Sequence, residues 1–341
     1  MIKTLLPTNI YIFLRKHSFN RSFNFLKLKV SYLLTRLLGR PILFGYPATL
    51  SVEPTNRCNL QCPECLSGSR SLTRNAGFIN DQTYDKILSE VSSFVNTLIL
   101  YFQGEPLLHP DIFNLIRKAH EKKIIVIISS NGHFIDPENA RKIVESGLDK
   151  IIISLDGMDQ EVYTKYRVGG NLGKVKKGIE DLVEWKHRLN SLTPLIIIQF
   201  LVLSHNQHQI NDVRRWGREI GVNEVQLKSA QLIDFRTGNK LMPDDRYSRY
   251  KRTKDGIFNV KSALKDYCWR TWSTAVITWD GMVVPCCFDK DATHSMGNIL
   301  DSSFIHIWKD TPYRKFRNTI VTNRKTIPIC LNCTEGLSIS V

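Results

Sequence analysis

Acidic residues are missing from the first 52 positions, which carry eight lysines or arginines (Lys3, Arg15, Lys16, Arg21, Lys27, Lys29, Arg36 and Arg40). Roughly half of the +15 excess charge therefore lies there. Long apolar runs are also missing: none approaches the ~18 residues a transmembrane helix needs, so no spanning segment is expected. No internal repeat or low-complexity segment is evident, and 42% hydrophobic with 23% charged residues excludes disordered and fibrous classes. The eight cysteines are too few for a disulfide scaffold. They fall into a group of three (Cys58, Cys62, Cys65) and a group of five (Cys268, Cys286, Cys287, Cys330, Cys333). Thiols clustered this way read as metal sites. No signal peptide precedes them, so a cytoplasmic, reducing location is expected.

Within the basic stretch, Phe23, Leu26, Val30, Leu33, Leu34 and Leu37 follow helical spacing, flanked by Lys27, Lys29, Arg36 and Arg40. Such a helix can lie on a membrane surface, giving peripheral membrane contact through residues 9–40. The plainer expectation is that its apolar stripe packs on the main domain and the lysines stay solvated.

From Tyr46 onward, short β-rich runs alternate with helical patterns. Strands are expected at Ala48 to Glu53, Thr97 to Phe102, Ile124 to Ser129, Lys150 to Leu155, Leu195 to Leu203 and Asn223 to Leu227. Nearly continuous apolar runs such as IIVIIS and IIISL suit parallel strands buried on both faces. Asn80 or Asp81, Pro110-Asp111 and Pro137 open the intervening helices, and Gly147 suits a left-handed cap. Six βα units predict an α/β fold, an open or partial (β/α)6 TIM-type barrel, with chemistry at the carboxyl ends of the strands. Residues 1–46 form the basic extension, 47–230 the core domain, 231–266 a polar linker with one short helix, and 267–341 a small second domain. In that last domain Asp280-Gly281 signals a type I′ hairpin, and Ser302 to Arg317 is expected to be helical.

Cys58, Cys62 and Cys65 form a C-x3-C-x2-C triad directly after the first strand. Soft thiolates at this spacing suit an iron-sulfur cluster or zinc. A structural zinc takes four protein ligands; three thiols leave one position open. Cys268, Cys286, Cys330 and Cys333 could fill a [4Fe-4S] cluster or a zinc knuckle, and Cys287 is left over as a small buried hydrophobe or a hydrogen-donating thiol.

The triad, its place after the first strand, and the segments that follow resemble the radical S-adenosylmethionine (SAM) superfamily. The resemblance implies a SAM-binding [4Fe-4S] cluster on Cys58, Cys62 and Cys65. Gln103-Gly104-Glu105-Pro106 resembles the family's GGEP motif, with Gly104 and Glu105 meeting the SAM amino group and Gln103 departing from the pattern; Gly-Glu-Pro alone could be a simple turn. Ser130 and Asn131, beside Ser129 and Gly132, and Ser154 with Asp156 resemble ribose and carboxylate contacts. Arg167 resembles an arginine that pairs with the SAM carboxylate. The C-terminal cysteines, with GMVVPCC and IPICLNC, resemble SPASM and twitch auxiliary domains. A second [4Fe-4S] cluster on Cys268, Cys286, Cys330 and Cys333 is implied.

Such a layout implies reductive cleavage of SAM and oxidation of a small-molecule substrate, with the auxiliary cluster accepting an electron. A flavodoxin- or ferredoxin-type protein would supply the reductant. The alternative is a maturase or epimerase acting on a ribosomal peptide, although residues before Tyr46 are few for a peptide-recognition domain. A zinc-stapled basic module binding nucleic acid would explain the charge and the C-terminal cysteines, but not a cysteine triad at a strand end followed by QGEP.

Overall fold

The computed structural model describes residues 8–334. Six parallel strands form its centre: β1 (Thr49–Val52), β2 (Thr97–Ile99), β3 (Ile125–Ser130), β4 (Lys150–Ser154), β5 (Leu195–Val202) and β6 (Glu224–Ser229). Their interiors are rich in Ile and Val, and Leu50, Leu98, Val126, Ile151 and Ile198 are fully buried. Between them run α3 (Asp81–Val91), α4 (Ile112–Glu121), α5 (Pro137–Glu145), α6 (Gln160–Thr164), α7 (Leu172–Arg188) and α8 (Ile210–Ile220). Asn80, Asp136, Asp159 and Asn171 each accept a hydrogen bond at a helix N-terminus, so local side-chain chemistry starts these helices. The result is a partial barrel of the TIM type.

The C-terminal region does not stand apart from this sheet. Strand β9 (Thr274–Ile277) pairs in parallel with β1, β10 (Met282–Val284) returns antiparallel, and β11 (Gly297–Asn298) closes the edge. The order β11-β10-β9-β1-β2-β3-β4-β5-β6 puts the second cysteine region on the flank of the strand that precedes the first.

Four local expectations are corrected. The segment 231–266 holds no helix among its described residues; it holds the small hairpin of β7 (Tyr250–Arg252) and β8 (Phe258–Val260). The turn at Asp280-Gly281 is not type I′, which needs two central residues at positive φ. Only Gly281 has one (φ 85°); the Gly281 amide bonds the Thr278 carbonyl, and the Thr278 amide bonds the Met282 carbonyl, closing a three-residue loop. The single helix expected from Ser302 to Arg317 is two, α10 (Phe304–Lys309) and α11 (Thr311–Asn323), because Pro312 forces a fresh start at Asp310. Cys287 is exposed rather than a buried hydrophobe.

The basic extension also runs against expectation. It folds as α1 (Thr8–Lys16) and α2 (Phe19–Leu38), but α2 buries Arg21, Asn24, Leu28, Ser31 and Thr35. Its apolar stripe faces solvent: Phe23 is 50% exposed, Leu33 57% and Leu37 70%. The polar face wins because it satisfies backbone groups that would otherwise be orphaned. Arg21 donates to the carbonyls of Ser92, Lys122 and Lys123, where α3 and α4 end. Asn24 exchanges hydrogen bonds with the Tyr46 backbone, and Ser31 and Thr35 accept from the amides of Phe44 and Ile42. Lys16, buried, forms an ion pair with buried Asp149 just ahead of β4.

Candidate active site

The loop after β1 is fastened before any cofactor is considered. Glu53, fully buried, holds Arg74 through two hydrogen bonds of 2.5 and 2.6 Å and accepts from the amides of Gln103 and Trp279, each at 3.3 Å. One carboxylate thus ties together β1, the QGEP segment and the C-terminal hairpin. Burial pushes the Glu53 carboxyl upward against the pull of Arg74. Thr55 donates to the Gly77 carbonyl, and Asn56 bonds both the Asn75 carbonyl and the Gly77 amide. Asp291, near the C-terminal hairpin, accepts from the amide and hydroxyl of Thr73.

Glycine is required where this loop meets QGEP. Gly104 lies at φ 80°, and a Cβ there would stand 2.5 Å from the Thr55 carbonyl oxygen. A Cβ at Gly68 would meet the Cys62 amide nitrogen at 2.6 Å, so the backbone also closes tightly around the triad.

Cys58, Cys62 and Cys65 pack in one small cluster with Leu60, Tyr166 and Leu203. No disulfide joins them. Burial pushes the Cys58 thiol up to about 11 and raises Cys62, so a metal must displace protons to bind there. Asn131 donates from Nδ2 to Cys58 Sγ at 3.8 Å and to Asn59 at 2.8 Å. Arg167 donates from Nη1 to Cys62 Sγ at 3.7 Å and from Nε to Asp156 at 2.5 Å. Burial opposes the Arg167 charge, but Asp156 and Cys62 more than offset it and its proton is held firmly.

Glu105 is 2% exposed and saturated: it accepts from the Ser130 hydroxyl (2.8 Å) and from the amides of Asn131 (2.7 Å) and Leu107 (3.0 Å). Burial raises its pKa, with those donors opposing. In this arrangement Glu105 positions the ends of β2 and β3. Asp156 is likewise occupied by Arg167 and the Leu201 amide. Ser154, at the end of β4, is buried.

A cavity of about 540 Å3 opens at the carboxyl ends of the strands. Cys62, Cys65, Gly104 and Arg167 line it; Cys58, Glu105, Ser130, Asn131, Ser154 and Asp156 stand outside its lining. Its far wall comes from the C-terminal region, including Arg270, Cys287 and Thr334. Cys286 and Cys287 share a hydrogen bond that raises the first thiol and, with Arg270 and Lys290 nearby, lowers the second. Glu53, Arg74, Lys228, Arg249 and Lys290 have no motif spacing and were not among the residues the sequence singled out.

Cys268, Cys330 and Cys333 gather near buried Arg324, whose Nη2 donates to Cys333 Sγ at 3.5 Å and whose charge those sulfurs stabilise against burial. Arg324 is held by the Tyr267 carbonyl at 2.9 Å, and its amide by Asp266. Among the described residues, no three His, Cys, Asp or Glu side chains converge on a single ion position. A cluster asks less, since each thiolate takes its own iron. Buried and half-buried thiols free of disulfides, set beside an open cavity, fit such a group.

A parallel partial barrel with a thiol triad at the mouth of its cavity defines an enzyme whose chemistry rests on a bound metal cluster. Residues 52–198 match the model of the radical SAM superfamily, and residues 268–334 match that of an iron-sulfur cluster-binding domain, SPASM. The chain belongs to the radical SAM superfamily. It is 31% identical over 272 residues to a probable GTP 3′,8-cyclase of Methanococcus aeolicus, covering 71% of this chain and 86% of that one. It is 26% identical over 315 residues to the tungsten-containing aldehyde ferredoxin oxidoreductase cofactor-modifying protein of Pyrococcus furiosus, covering 83% and 86%. In fold it is similar to Streptococcus suis SuiB bound to S-adenosylmethionine, with TM-score 0.63 and 15% identity over 91% of this chain and 77% of that one. The two domains make iron-sulfur clusters and SAM the cofactors of this enzyme.

Proposed function

We propose that the enzyme oxidises a small-molecule substrate after reductive cleavage of SAM. Cys58, Cys62 and Cys65 would hold a [4Fe-4S] cluster, which when bound and reduced would supply the electron that cleaves SAM to methionine and a 5′-deoxyadenosyl radical. Arg167, steadied by Asp156, meets the SAM carboxylate; Gly104 offers backbone to its amino group. Ser130 and Asn131, which hold Glu105, and buried Ser154 stand behind the cavity lining. The substrate would lose two hydrogens, one as an atom to the 5′-deoxyadenosyl radical and one as a proton to a base, and Cys268, Cys286, Cys330 and Cys333 would hold an auxiliary cluster able to take up the remaining electron.

The observation that carries this reading is the shared cavity: one wall holds Cys62 and Cys65, the other Cys287 and Thr334, each one residue from a thiol of the quartet. A substrate between them reaches a hydrogen acceptor on one side and an electron acceptor on the other. At about 540 Å3 the cavity is of small-molecule size. The two relatives named above also carry names that refer to a cofactor and a nucleotide. The test is anaerobic turnover with SAM and a reductant, an external protein such as a flavodoxin or ferredoxin serving in the cell. Formation of 5′-deoxyadenosine with a product two hydrogens lighter than its substrate supports the reading; a product of unchanged oxidation state overturns the oxidative part.

We also propose that α2 seats the enzyme on an anionic lipid surface. Among the described residues no helix is long and apolar enough to cross a membrane. Yet Phe19, Phe23, Leu26, Val30, Leu33 and Leu37 recur at helical spacing and all face outward. With no acid before Glu53, the charge around the stripe complements anionic headgroups. Flotation with phosphatidylserine vesicles should carry the protein, and Leu33→Glu should abolish this without altering iron content. Failure to float, or a stripe buried in a dimer instead, overturns the proposal.

A further inference from the structure

Part of the cavity wall is cationic beyond what acidic side chains neutralise. Arg249, Lys228 and Lys290 all line it, and none has an ion-pair partner among the described residues. Glu64, which also lines it, is already occupied by the Ile233 amide and Asn239 Nδ2.

Arg249 is the most telling of the three. It is 8% exposed, and only Nη2 is used, donating to the Ser229 carbonyl at 2.6 Å. Its Nε and Nη1 are buried with no partner. Unpaired N–H donors held out of water cost free energy. A guanidinium and two ammonium groups on one wall match the oxygens of a phosphate or carboxylate. Burial lowers the pKa of Lys228 and of Lys290, and the nearby Arg249 charge lowers each further. Arg167, which also lines the cavity, pairs with Asp156 and is assigned above to the SAM carboxylate.

From the guanidinium of Arg249 and the ammonium groups of Lys228 and Lys290, which line one cavity without ion-pair partners, we infer that the substrate carries an anionic group, phosphate or carboxylate, held by these three side chains. This rests on the proposed function for the identity of the cavity as the substrate site.

The test is saturable binding of radiolabelled inorganic phosphate, with succinate as competitor, to reconstituted protein saturated with SAM. Binding of either anion is expected, weakened at least about tenfold in Arg249→Gln and further in Arg249→Gln with Lys290→Gln. Lys174→Gln, on the outer face of α7, should bind as the unaltered protein does. Iron content and the circular dichroism spectrum of each variant check folding. Binding of neither anion, equal binding by Arg249→Gln, or loss of binding when SAM is added would overturn the inference. Release of 5′-deoxyadenosine by the same unaltered preparation is read separately. Cleavage without anion binding sinks only this inference; anion binding without cleavage sinks the proposed function.

Discussion

The two cysteine groups are built differently. The triad sits within eight residues of one loop, fixed by Glu53, Arg74, Thr55, Asn56 and the close approach of Gly104. The quartet comes from three places: Cys268 before the short helix α9 (Arg270–Ser273), Cys286 after β10, and Cys330 and Cys333 beyond α11, with Arg324 among them. A local site can be set by a single loop; a dispersed one depends on tertiary packing. The sheet pairing of β9 with β1 holds the two in one frame.

The largest effect that would sharpen this contrast is loss of the triad. Replacing Cys58, Cys62 or Cys65 by Ala should reduce 5′-deoxyadenosine formation to background, measured by chromatography of anaerobic reactions. Cys268→Ala comes next: iron should fall from about eight to about four per chain, with SAM cleavage retained and substrate turnover lost. Equal loss of cleavage in both variants would break the comparison.

Smaller effects probe the loop itself. Glu53→Gln leaves Arg74 buried without its charge partner, at a cost of about 3 to 5 kcal/mol, read as a lowered denaturant midpoint. Gly104→Ala forces a left-handed backbone and a clash with the Thr55 carbonyl. It should cost about 1 to 3 kcal/mol and weaken SAM binding in calorimetry. If Gly104→Ala binds SAM as the unaltered protein does, the loop is less rigid than its contacts require.

The same contrast explains what was legible in the sequence. The parallel strands were readable because IIVIIS and IIISL leave no polar face, and the triad because its ligands are neighbours in the chain. Pairing of β9 with β1 links residues more than 200 positions apart, and no local pattern encodes it. Arg249 and Arg324 matter through surroundings that only folding assembles. For α2 the periodicity was right but the buried face was misassigned. An apolar stripe ordinarily packs inward, whereas here Arg21, Asn24, Ser31 and Thr35 answer backbone groups that water would otherwise have to meet. The turn at Gly281 and the break at Pro312 show how one residue's φ preference outweighs a broader pattern.

The most direct test of the central claim is iron content together with SAM cleavage by anaerobically reconstituted protein. About eight irons per chain and release of 5′-deoxyadenosine under reduction are expected. About four irons with bound zinc would remove the auxiliary cluster, and no release of 5′-deoxyadenosine would contradict the account.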